Sequence, residues 1–137
     1  MYKNILVAVS FEEGHDPSAS VRVAKALSGK DTKTYVLHVS ERLPANAVSY
    51  MPAGYANKLR VAIQAELNNL AGQFKNGKGV VVEGHSGRTI LDWAEANAID
   101  CIVLDSHRPG LQDYFLGSTS SRVVRYAQCS VHVVRCP

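Results

Sequence analysis

The chain has 137 residues, 46% of them hydrophobic, and a formal net charge of +3. That length suits one domain with one core across residues 1–137, and that apolar content excludes a disordered chain. The charge is too small to point to nucleic acid, no apolar stretch nears the roughly 20 residues that span a bilayer, and the 3 cysteines lack a Cys-x-x-Cys pair.

Met1-Tyr-Lys-Asn4 leads straight into a strand pattern, so no signal peptide and a reducing cytoplasm are expected. Ile5-Leu-Val-Ala-Val9 is a continuous apolar run of strand length, the mark of a strand covered on both faces. A loop follows over Ser10–His15. Asp16-Pro17 then predicts a helix start, an N-cap with proline at the first helical position. Ala19, Val23, Ala26 and Leu27 give that helix an apolar stripe, and Gly29 can end it.

Thr34–Val39 is the second predicted strand. A longer connection from Glu41 to Ala56 contains Pro44, Pro52 and Gly54. Leu59, Ile63, Leu67, Leu70 and Phe74 recur at spacings of 4, 4, 3 and 4, which predicts a helix stopped by Asn76-Gly77. Gly79–Glu83 is the third strand. Gly84-His-Ser86 leads into a helix with Ile90, Leu91, Ala94 and Ala98 on its buried side, and Trp93 among core neighbours. Cys101–Leu104 is the fourth strand. The fourth helix runs from Thr119 to Tyr126, and Val131–Val134 is the fifth strand.

Strands alternating with helices predict an α/β fold: a single open five-stranded parallel sheet with helices on both faces. Ligands of such sheets bind beyond the carboxyl ends of the strands, where the winding reverses. In the common order 3-2-1-4-5, that point lies between the first and fourth strands. It sets Ser10 across a crevice from Gly117-Ser-Thr-Ser120. A glycine followed by hydroxyls at a helix start presents unpaired N–H groups and partial positive charge, the chemistry that holds phosphate.

Other chemistries fit less well. Ser106 beside His107 lacks a Gly-x-Ser-x-Gly elbow and an orienting acid. His15, His38, His85, His107 and His132 show no metal-ligand spacing. There is no Walker motif, and the third strand ends in Glu83-Gly84 rather than a phosphoacceptor aspartate. Cys129, ahead of the last strand, needs only a packing role. Tyr50, Met51 and Tyr55 on the long connection suit a cover for a bound base, or a plain surface excursion.

Five blocks of the chain resemble the universal stress protein family in its short single-domain form. They are Lys3–Val9, Val36–Val39, Asp100–Asp105 and, most specifically, Leu116–Val124 followed by Ala127–Arg135. The resemblance implies an adenine nucleotide alpha hydrolase-like fold and binding of ATP, with magnesium held through water at Asp105. Gly117-Ser118 matches the closing pair of the family's ATP motif, with Thr119 and Ser120 beside it. The first half of that motif departs: Asp105-Ser106-His107-Arg108 lacks both glycines, and Gly110 supplies some of the lost backbone freedom. Arg108 is placed to reach a phosphate or to lie in solvent. Val39 matches the position whose backbone contacts adenine. Ser10 stands where the family usually has an aspartate facing the nucleotide, and Glu12 or Glu13 is a candidate replacement. The resemblance also implies a homodimer through the last strand, Val131, His132, Val133 and Val134, which the predicted order leaves at the sheet edge.

The expectation is a regulatory, cytoplasmic, nucleotide-binding protein with no nucleic-acid or membrane partner and at most slow ATPase activity. A dimeric scaffold of the same fold that binds no nucleotide stays open, on the evidence of Ser10 and the missing glycines. An enzyme of the wider nucleotide-binding α/β class is more distant, since no catalytic set is recognisable.

Overall fold

In the computed structural model, the run Ile5-Leu6-Val7 is wholly buried. Successive strand residues face opposite sides of a sheet, so both sides of this one must be covered. The structure describes residues 1–11, 16–41, 52–106 and 117–135.

Five strands and four helices alternate along the described chain: β1 Tyr2–Ala8, α1 Ser18–Leu27, β2 Ser28–Ser40, α2 Tyr55–Ala71, β3 Gly77–Glu83, α3 Ser86–Ala96, β4 Cys101–Asp105, α4 Ser118–Tyr126 and β5 Ser130–Val134. All four strand pairings are parallel, and the order is β3-β2-β1-β4-β5. The expected α/β architecture and strand order are both present. Among the described residues no helix is long and apolar enough to cross a membrane.

Two apolar clusters lie on opposite faces. Ile5, Val7, Val36 and Val103 pack with Ala24 of α1 and with Leu67 and Ala71 of α2. Leu6, Leu37, Ile102 and Leu104 pack with Ile90 and Ala94 of α3 and with Val123 of α4. Gly79 lets α2 lie close on β3, because a Cβ there would meet the Leu67 backbone carbon at 2.9 Å. Trp93 is half-buried on the second face, its ring edge-on to Tyr35 at 5.1 Å. Cys129 packs at the edge of the same cluster.

The helix boundaries follow local chemistry. The cap position of α1 falls on Pro17, one residue later than predicted, and the Asp16 carboxylate just ahead of it accepts the Ser18 backbone N–H at 2.9 Å. At the other end of α1, the Ser28 hydroxyl donates to the Ala24 carbonyl, and β2 starts at once. β2 is therefore longer than the predicted Thr34–Val39. Its first part is held by the Thr32 hydroxyl, which donates to Tyr2 carbonyl at 2.7 Å.

Three predicted core positions are corrected. Ala26 is exposed, while Val21 and Ala24 are the buried apolar members of α1. Ala98 is exposed with φ of 53°, past the end of α3, and Ile99 fills the core in its place. Leu59 carries the right spacing yet is 47% exposed, because the first half of α2 extends beyond the sheet's packed area. α2 also starts a turn earlier than Leu59 and ends before Phe74.

Candidate functional site

The winding reverses between β1 and β4, and a crevice of about 660 Å³ opens there at the carboxyl ends of the strands. Small-molecule sites commonly measure roughly 300–1,000 Å³. Ser10, Val39, Asp105, Gly117, Ser118, Thr119 and Ser120 all line it, as the strand order predicts.

One side is apolar and aromatic. Phe11 follows β1, and Leu59 and Ile63 come from α2. The Phe11 ring lies 5.2 Å from the His38 ring, tilted by 46°. The His38 Nδ1 sits 3.2 Å from Val9 carbonyl, which fixes the ring against the end of β1. Such a surface offers a flat ligand stacking and dispersion contact.

The opposite side is polar and built from two helix starts. α3 begins at Ser86 after His85, and α4 begins at Ser118 after Gly117. In each, the first intrahelical bond is made by a later residue: Thr89 donates to His85 carbonyl at 2.8 Å, and Ser121 donates to Gly117 carbonyl at 2.9 Å. The preceding N–H groups have no acceptor within the helix and carry its partial positive charge. Gly117 has φ of −66°, which any residue adopts. Its use to a ligand is the absence of a Cβ, not conformational freedom.

Three hydroxyls on this side, those of Ser86, Thr119 and Ser120, are already engaged. Ser120 is buried, and its Oγ donates to Asp105 carbonyl at 2.5 Å, tying α4 to the end of β4. Its side chain is thus a strut, and its N–H is one of those without an acceptor inside the helix. Thr119 Oγ1 donates to Ser86 Oγ at 3.2 Å. Ser86 Oγ in turn donates to Glu41 Oε1 at 3.3 Å. Glu41 and Ser86 line the crevice as well; Ser86 lies in the stretch Glu83–Arg88 that follows the third strand, and Glu41 was not among the residues expected there. Their signal in sequence is slight: an acid one residue past a strand and a serine at a helix start.

Not every expected residue reaches the crevice. Ser106 is buried, its N–H donates to Val134 carbonyl at 3.0 Å, and it is not part of the wall. His107, Arg108 and Gly110 lie outside the described residues, as do Glu12, Glu13, Tyr50 and Met51. Tyr55 is in α2 and exposed. Among the described residues no group of three His, Cys, Asp or Glu side chains is placed to hold a metal. Burial raises the Cys101 thiol to about 11 and also raises that of Cys129, which keeps both protonated and poorly nucleophilic at neutral pH.

An open parallel sheet whose winding reverses at a crevice defines the doubly wound α/β class, whose ligands bind at that point. Within that class, the chain belongs to the universal stress protein family, whose model matches residues 1–135. It is 30% identical to universal stress protein A homolog 2 of Coxiella burnetii over 140 residues, covering 98% of this chain and 95% of that one. Universal stress protein UspA from Lactobacillus plantarum has a similar structure, with TM-score 0.71, 27% identity and 98% of each chain covered. Two further solved folds of this kind carry a nucleotide. A family protein from Arabidopsis thaliana has AMP bound, at TM-score 0.64, 17% identity and coverage of 98% of this chain and 92% of that one. The universal stress protein from Archaeoglobus fulgidus was solved in complex with dAMP, at TM-score 0.65, 15% identity and 98% of each chain.

Proposed function

We propose that the crevice binds an adenine nucleotide and that its occupancy regulates what the protein contacts in a cellular stress response. The observation that carries this is the pairing of two opposed surfaces: the α3 and α4 helix starts on one side, the Phe11–His38 pair with Ile63 on the other. The first suits a phosphate and the second a base. The bound AMP and dAMP of the two similar folds support the same ligand class. ATP belongs to that class, and Asp105, which lines the crevice, is the acid that would hold a magnesium ion through water.

The protein would act as a cytoplasmic homodimer. Among the described residues β5 pairs only with β4 and ends the sheet, which leaves its outer edge for the β5 of a second copy. Sedimentation of a pure monomer at micromolar concentration would overturn this part.

The second reading, a scaffold without nucleotide, draws support from the hydroxyl chain, in which Thr119 and Ser86 donate toward Glu41. One experiment decides between them. The purified protein is denatured and the supernatant examined for adenine nucleotide. Stripped and refolded protein is then titrated with AMP and ATP. Release or saturable binding is expected, and neither at millimolar nucleotide leaves the scaffold.

A further inference from the structure

Glu41 has no part in the reading above, yet it sits at its most sensitive place. It lies one residue past β2, is exposed, and lines the crevice. Its carboxylate takes the Ser86 hydroxyl, and the Ser86 oxygen takes the Thr119 hydroxyl. A hydroxyl has one hydrogen to give. Both hydrogens therefore run toward Glu41, at the starts of two helices whose partial charge favours an anion. Glu41 is itself that anion. Asp105 is the other carboxylate on the wall, and among the described residues no lysine or arginine lines it.

We infer that Glu41 is a charge filter at the phosphate end of the crevice, setting a preference for adenine nucleotides with a short phosphate chain over free triphosphate. The inference rests on the adenine-nucleotide reading. Each added phosphate brings more negative charge toward Glu41 and competes with it for the Ser86 hydrogen, and with Ser86 for that of Thr119. The base and ribose feel neither effect. A divalent cation, by neutralising the phosphate chain, would relax the preference.

The test is calorimetric titration of the full chain, stripped of nucleotide, with adenosine, AMP and ATP in EDTA, for the wild type and for Glu41→Gln. Glutamine keeps the size and an acceptor for Ser86 while removing the charge. The site is exposed, so the fold is expected to survive, and Glu41→Ala supplies a second uncharged variant. The wild type should bind AMP more tightly than ATP. Glu41→Gln should tighten ATP roughly fivefold, AMP less, and adenosine not at all, the scale of one exposed charge pair. Millimolar magnesium should shrink the wild-type gap. Equal shifts for all three ligands, or none, would overturn the filter while the nucleotide reading stands. If neither protein binds any of the three, the nucleotide reading fails and the filter falls with it.

Discussion

At the amino end of the sheet, polar groups are tied from strand to strand. Asp100 accepts the backbone N–H groups of Lys3 and Asn4 at 2.8 and 3.0 Å, and the Asn4 side chain donates to Ala98 carbonyl at 3.0 Å. Thr32 bridges Gly29 and Tyr2 in the same way. At the carboxyl end the strands stop at a crevice, where two helix starts keep N–H groups without helical acceptors. One end spends its polar groups on holding the fold. The other leaves helix-start N–H groups that the proposed nucleotide would use. Substitutions at the two ends should therefore separate stability from binding.

The largest effect is expected at Gly117. Gly117→Val puts a branched side chain on the helix start that a phosphate would approach, and AMP affinity should fall about 100-fold, near 2.7 kcal/mol. Circular dichroism should still report the native helix content. If affinity survives, the phosphate is held elsewhere. Asp100→Ala should do the reverse. Two hydrogen bonds to a charged, part-exposed acceptor are lost, at about 2 kcal/mol in denaturant unfolding. AMP affinity should stay within about twofold below the melting range. A changed affinity would mean that the two ends are coupled and would break the comparison.

Phe11→Ala comes next, on the apolar side of the crevice. Losing the ring that faces His38 should weaken adenosine and AMP alike, by about tenfold, the scale of one aromatic contact. A loss confined to AMP would mean that the base does not lie on this side.

How much of each region could be read from the chain follows from which interactions are local. The strands declare themselves because Ile5–Val9 and Cys101–Leu104 are apolar without alternation, which only two covered faces explain. Gly117–Ser120 declares itself because a glycine and hydroxyls at a helix start form one contiguous signal. Phe11 against His38, and Glu41 through Ser86 to Thr119, join residues far apart in sequence. They meet only because β2 and β4 flank β1 in the sheet, so no local pattern announces them. Leu59 shows the converse limit: its spacing marks a helix face but not whether anything covers that face.

The smallest effect belongs to the amino end, at Ala98. Its misreading as a core residue has a specific cause, since it continues the apolar spacing of Ile90, Leu91 and Ala94 but stands beyond the last turn. Ile99 N–H donates to Ala94 carbonyl at 3.0 Å, closing α3 with Ala98 in the left-handed region. That conformation costs a residue with a Cβ about 1–2 kcal/mol, a cost glycine escapes. Glycine also loses more freedom on folding, which returns part of the gain. Ala98→Gly should thus stabilise the fold by about 0.5–1 kcal/mol, seen as a higher denaturant midpoint with unchanged slope. Nucleotide affinity should not move, because the turn lies at the tied end of the sheet. A lower midpoint would mean that the Ala98 side chain, though exposed, contributes more than its backbone strain removes.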